Sequence, residues 1–260
     1  MSITDRILPL EAIDNFRDYG DYLAGAHGRL PRRKLFRSAH HARATAADLQ
    51  TLADLDVAVI VDLRRPLERD REPSPRPPGF AGQVIECDLG DQAEAPHVAF
   101  LRETDLTPES ARRFFLDYYA NAPFEARHGI LFRRYFEALA QAPGAVLIHC
   151  TAGKDRTGLL AALTHHVMGV HPDDMRADYL LTNQAARLEE RLPMVTEALE
   201  ASLGRRPSET AVRAFLGVQP EYLDAAFAAI EERCGGIDPY LDEIGVDAAA
   251  RDRVRARLAA

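Results

Sequence analysis

The 260-residue chain has no tryptophan and only three cysteines, Cys87, Cys150 and Cys234, far apart from one another. Three isolated sulfurs exclude a disulfide scaffold, a zinc knuckle and a paired-thiol redox motif, and they point to a reducing compartment. No apolar run approaches the length that spans a bilayer, and the polar N-terminus lacks a secretory signal pattern. A soluble, cytoplasmic protein without stable membrane insertion is expected, leaderless export being the other route. Basic stripes interleaved with aromatics are missing as well. With 32 Lys+Arg against 40 Asp+Glu and a net charge of −8, nucleic acid is a poor partner. There is no internal repeat and no linker-like stretch. What remains is a chain that is 47% hydrophobic, enough for one sizeable core, read as a single domain over residues 1–260.

Residues 145–158 read Ala-Val-Leu-Ile-His-Cys-Thr-Ala-Gly-Lys-Asp-Arg-Thr-Gly. An apolar strand over 145–149 runs into a short polar loop, and a helix is expected from near Thr157. Five residues separate Cys150 from Arg156. A loop curling back over that distance turns the N–H groups of Thr151, Ala152, Gly153, Lys154 and their neighbours inward at the positive end of a helix, which makes a cup for an oxyanion. The same field favours a thiolate at Cys150, a nucleophile at the base of the cup. Arg156 supplies a planar fork to two phosphoryl oxygens, a geometry lysine cannot give. Gly153 allows a close backbone approach, and Gly158 lets the helix begin tight against the strand. The Thr157 hydroxyl can donate to the sulfur and help it leave. The bland alternative, an inert core cysteine at the end of a strand, does not account for the spacing, for the flanking His149 or for both glycines. An ATP-binding loop is excluded because Gly153-Lys154 lacks the earlier glycine and the following Ser/Thr.

Elsewhere the pattern alternates between helix and buried strand. An edge strand is expected over 34–38. A helix over 45–55 is capped by Thr45 with Asp48 three residues on, and an unbroken apolar strand covers 57–61. That strand ends in Asp62-Leu63-Arg64, where the polar groups either face a crevice or pair with each other. Residues 65–83, with five prolines, read as a surface loop. A strand is expected over 83–88 and a polar segment over 90–103. Helices follow over 107–120, 124–140 and 157–168, then an amphipathic pair over 188–203 and 208–216, and finally 221–233, 237–244 and 247–258. Phe114, Phe115, Tyr118 and Tyr119 read as core or rim packing. His165 and His166 face different directions, a poor metal pair. The sum is an α/β fold, a mostly parallel sheet flanked by helices, with ligands expected at the carboxyl ends of the strands, where Asp62 and Cys150 both lie.

The run His149-Cys150-Thr151-Ala152-Gly153-Lys154-Asp155-Arg156-Thr157-Gly158 resembles the phosphate loop of the cysteine-dependent protein tyrosine phosphatases, in the bacterial tyrosine and phosphoinositide phosphatase branch. Asn15-Phe16-Arg17-Asp18, Leu35-Phe36-Arg37-Ser38 and the tail Gly235-Gly236-Ile237-Asp238-Pro239-Tyr240-Leu241 are similar to the same branch. The resemblance implies the cysteine phosphatase fold, a helical lid over about 185–216, and C-terminal helices over 221–260 packed on the domain. It also brings Arg37 toward the phosphate cup. The expected reaction is phosphomonoester hydrolysis through a phosphocysteine, with no metal or cofactor. The acid-bearing loop that many tyrosine phosphatases mark with a tryptophan is missing in that form. Asp155, inside the cup, is the preferred general acid; Asp62 is the alternative and Asp88 a distant third. Lys154 adds a second cation, which resembles phosphoinositide phosphatases, or is a solvated charge. Phosphotyrosine protein or peptide is the first expected substrate, with phosphoserine/threonine and phosphoinositides as extras. The rival readings are a phosphate-binding pseudophosphatase and a rhodanese-like sulfurtransferase.

Overall fold

The computed structural model describes residues 3–90 and 94–259. Its centre is a five-stranded sheet formed by β1 (Arg17–Asp18), β2 (Leu35–Ser38), β3 (Val57–Asp62), β4 (Gln83–Ile85) and β5 (Ala145–His149). The spatial order is β1-β2-β5-β3-β4, with β1 antiparallel to its neighbour and the other pairs parallel. β5 is central and buried along its whole length, as its unbroken apolar run requires. Its side chains alternate between two cores. Val146 and Ile148 join a large cluster extending from Tyr19 to Leu258, whereas Ala145 and Leu147 join a smaller one with Phe16, Phe36, Leu52 and Ile60. Ser38, Asp62 and His149 stand level in register, so β2, β3 and β5 end together beneath the loop that begins at Cys150.

Several expectations need correction. β2 is interior rather than an edge, because the two residues of β1 cover its outer side. The strand expected to reach Asp88 stops at Ile85, opposite Val61. The proline-rich stretch after β3 is not loop throughout: Pro66–Arg71 is a helix, with Pro66 in the first turn and the Glu68 carboxylate accepting from the Arg65 N–H. Proline breaks a helix interior but suits its start. Likewise Pro96–Glu103 is helical within the segment read as polar. The helix after the cup begins at Asp155, with the Gly158 N–H bonded to the Lys154 carbonyl at 2.9 Å, so Asp155 and Arg156 ride on its first turn.

That helix, Asp155–Met168, is buried on nearly every side and ends at Gly169 in the left-handed region, φ 74°. The amphipathic pair forms as Leu188–Leu203 and Glu209–Leu216. Leu192, Ala211 and Val212 pack with Phe100 and Leu106 into a third cluster, separate from the main core. Helices Pro220–Cys234, Ile237–Glu243 and Ala248–Leu258 complete the chain and contribute to the main core. Among the described residues no helix is long and apolar enough to cross a membrane.

Candidate active site

Cys150 follows the last residue of β5 and is 2% exposed. The loop closes against β2. Gly153 has φ 65°, and a Cβ there would lie 2.3 Å from the backbone C and O of Ser38, so only glycine fits. A Cβ on Gly158 would meet the Tyr179 ring at 3.0 Å, so this glycine lets the helix dock closely. Thr157 is fully buried and its hydroxyl has no hydrogen-bond partner. Cys150, Thr151, Ala152, Lys154, Asp155 and Arg156 all line one cavity of about 170 Å³.

Arg156 is held by a residue the sequence reading missed. Its Nη1 donates to Glu68 Oε2 at 2.6 Å and its Nη2 to Glu68 Oε1 at 2.8 Å, while the Thr151 hydroxyl also donates to Glu68. Burial pushes the Glu68 carboxyl up, but the Arg156 charge and these hydrogen bonds outweigh it and hold the group well below the ordinary value of 4.5. Arg156 responds in kind: burial disfavours its charge, and Glu68 more than restores it. A depressed carboxyl contributes stability that is fully present above its ordinary value and lost as the pH falls from there through the folded-state value. Glu68→Gln is therefore expected to lower stability by about 3 kcal/mol at neutral pH, because it leaves a buried guanidinium without its counter-charge. The deficit should shrink below pH 4.5. Saturating inorganic phosphate should recover part of it by giving Arg156 another anion. Thermal melts across pH, with and without phosphate, check all three statements.

The three candidate aspartates separate cleanly. Asp155 lines the cavity, and its Oδ1 accepts from the Tyr119 hydroxyl at 3.0 Å; that hydroxyl in turn accepts from Tyr179 at 2.7 Å. Burial and the neighbouring Asp155 charge keep Tyr119 protonated far above the usual tyrosine range, so it remains a donor. Asp62 does not face a crevice. It is fully buried, and Arg64 donates to it through Nε at 2.9 Å and Nη2 at 2.7 Å, which is the pairing alternative. Burial opposes its ionisation, but Arg64, and His149 when charged, leave it far below the carboxylate range. Asp88 is largely exposed, tied to Arg69, and absent from the cavity wall. His149 lies 3.7 Å from Asp62 and stacks on His41 with ring centroids 4.6 Å apart. Burial brings it down to about 4, so it is neutral near pH 7.

Two further residues bond to backbone around the cup. Lys154 lines the cavity, and its Nζ lies 3.8 Å from Asp155 Oδ1. Its Nζ donates to the carbonyls of Phe215 at 2.8 Å and Gly217 at 3.3 Å and lies 4.0 Å from the Phe115 ring centroid. The cup is thereby tied to the end of the helix Glu209–Leu216. Arg37 is outside the cavity and fully buried behind the loop, donating to the Gly153 carbonyl at 3.0 Å. The aromatics read as packing are partly site: Phe114, Phe115 and Tyr118 line the cavity with Phe215, and His97 faces the same space. Burial, then Arg156, lowers the His97 pKa, which favours its neutral form. Among the described residues no cluster of His, Cys, Asp or Glu could hold a metal ion.

Cys150, the loop after it and Arg156 in the helix's first turn thus share one cavity above the ends of a parallel sheet. The chain belongs to the tyrosine phosphatase family, whose sequence model matches residues 8–260. It is 36% identical over 247 residues to a Cupriavidus necator protein that carries a tyrosine-protein phosphatase name, covering 93% of this chain and 85% of that one. It is 32% identical over 276 residues to the triple specificity protein phosphatase PtpB of Mycobacterium tuberculosis, covering 94% and 96%. A tyrosine-protein phosphatase of Nostoc commune is 28% identical over 238 residues, covering 88% and 75%.

Proposed function

We propose that the chain hydrolyses phosphomonoesters in two displacements, with Cys150 as nucleophile, Asp155 as general acid and then base, and Arg156 as phosphoryl clamp. The observation that carries this reading is that all three line one cavity beside the loop residues Thr151 and Ala152. The unpartnered Thr157 hydroxyl is the donor that stabilises the departing sulfur in the second step. Phosphotyrosine is the preferred substrate. A wall of Phe114, Phe115, Tyr118 and Phe215 suits a phenyl ring. Besides Arg156, two arginines line the cavity: Arg65, paired with Glu125 at 2.7 Å, and Arg191, paired with Asp14 at 3.4 Å. The apolar wall favours an aryl phosphate over a polyphosphorylated headgroup. The triple specificity in the name of the mycobacterial relative supports keeping phosphoserine/threonine and phosphoinositides in the substrate panel.

The test is turnover of p-nitrophenyl phosphate, a phosphotyrosine peptide and phosphoinositide vesicles by reduced wild-type protein, with and without vanadate. Vanadate-sensitive hydrolysis, fastest on the peptide, is expected. Phosphate binding without turnover would reassign the chain as a capture module. Thiocyanate formation from thiosulfate and cyanide would make it a sulfurtransferase.

A further inference from the structure

We propose that Asn15 and Arg37 are positioning residues for the cup, gripping the carbonyl side of the loop so that its N–H groups stay turned toward the ligand, with Arg17 and Asp178 holding both side chains in place. A peptide that turns its N–H one way turns its carbonyl the other. A loop with inward N–H groups therefore presents buried carbonyls at its back, each needing a donor. Thr151 is served by the His40 N–H at 3.2 Å, and Lys154 by the Gly158 N–H of the helix. The carbonyls of Ala152 and Gly153 receive none of these. The Asn15 side-chain amide donates to both, at 3.0 and 2.8 Å, and Arg37 Nη2 donates to Gly153 at 3.0 Å and to Lys154 at 3.4 Å.

The side chains that do this are themselves locked. Asn15 takes a left-handed backbone, φ 59°, and its side-chain oxygen accepts from Arg17 Nη1, which fixes the amide with its amino group toward the loop. Arg17 Nη2 is anchored on the Asp178 carbonyl at 3.0 Å and the Thr182 hydroxyl at 3.1 Å. The Asp178 carboxylate accepts from Arg37 Nη1 at 2.7 Å and Arg17 Nε at 3.4 Å. None of the four is more than 1% exposed. Two buried guanidiniums against one carboxylate are a costly way to brace a fold, since apolar side chains of similar volume serve as well or better. The arrangement repays that cost at the cup. A charged donor on a carbonyl polarises the peptide and strengthens the N–H at its other end. The layer also leaves one surplus positive charge behind a site for a dianion. Burial and Arg37 bring Arg17 down to about 10, so it is still charged near neutral pH.

This inference rests on the phosphatase reading for the identity of the ligand. The test compares wild type with Asn15→Gly, which keeps the left-handed backbone and removes only the amide, and with Arg37→Met and Arg37→Lys. Inorganic phosphate is the probe, as a competitive inhibitor of p-nitrophenyl phosphate hydrolysis. Asn15→Gly is expected to raise the phosphate inhibition constant about ten-fold and to lower kcat with it, as loss of hydrogen bonds supporting charge requires. Arg37→Met should do more, and Arg37→Lys should fall between it and wild type. If Asn15→Gly melts at a lower temperature yet binds phosphate as wild type does, the layer is a structural brace and the proposal fails. Should Arg37→Met not fold, Asn15→Gly decides. If wild type turns over no phosphoester, the phosphatase reading falls, and calorimetric phosphate binding by wild type and Asn15→Gly still settles the role of the layer.

Discussion

Cys150→Ser is expected to lower kcat on a phosphotyrosine peptide by about four orders of magnitude, because a hydroxyl replaces the proposed thiolate nucleophile. The exchange changes one atom at a position only 2% exposed, so the fold and the anion cup should survive. The variant should therefore still bind substrate and serve as a trap. Arg156 and the loop N–H groups, which do not change, carry that affinity. Steady-state kinetics beside phosphopeptide capture measure both halves. A serine variant that retains a hundredth of the wild-type rate would remove Cys150 from the chemistry.

Asp155→Asn should lower kcat on the same peptide by about a thousand-fold, within the range that general acid catalysis contributes. On p-nitrophenyl phosphate the loss should be smaller, since p-nitrophenolate departs without needing a proton. The basic limb of the pH–rate profile should flatten as well. Asp62→Asn supplies the contrast. It leaves Arg64, 1% exposed, without its carboxylate. The expected cost is a lower melting temperature, with the basic limb intact. If instead Asp62→Asn flattens that limb and Asp155→Asn does not, the acid is Asp62 and reaches the leaving group by a movement of β3.

The cup was legible because everything that makes it chemical lies within ten consecutive residues, His149 to Gly158, and because a buried strand leading into a helix is a local pattern. The order of the strands was not, since β5 is last in sequence and central in space. Glu68 escaped notice for a related reason. It lies 88 residues from Arg156, and its helix is hidden among prolines whose positional meaning depends on where the helix starts. The partners of Lys154 were not legible either, because its chain length carries Nζ to the carbonyls of Phe215 and Gly217, which no spacing rule reveals. From sequence, Asp155 is preferred over Asp62 only because its place in the loop follows from the motif. What separates them is a neighbour two residues away in one case and a tyrosine 36 residues away in the other.

The bonds behind the cup join segments far apart in the sequence. Asn15 meets Ala152 across 137 positions, and Arg37 meets Asp178 across 141. A nascent chain that has only just passed Gly158 has every reactive group and the Asn15 and Arg37 donors, but not Asp178, on which Arg17 and Arg37 are held. Catalytic competence should then appear late, after the first forty residues have docked against a helix made much later, as long-range closure generally delays assembly. On heating the sequence runs backward. Loosening of the N-terminal segment alone would slacken the loop while the helical core is still intact, so inactivation should precede global melting.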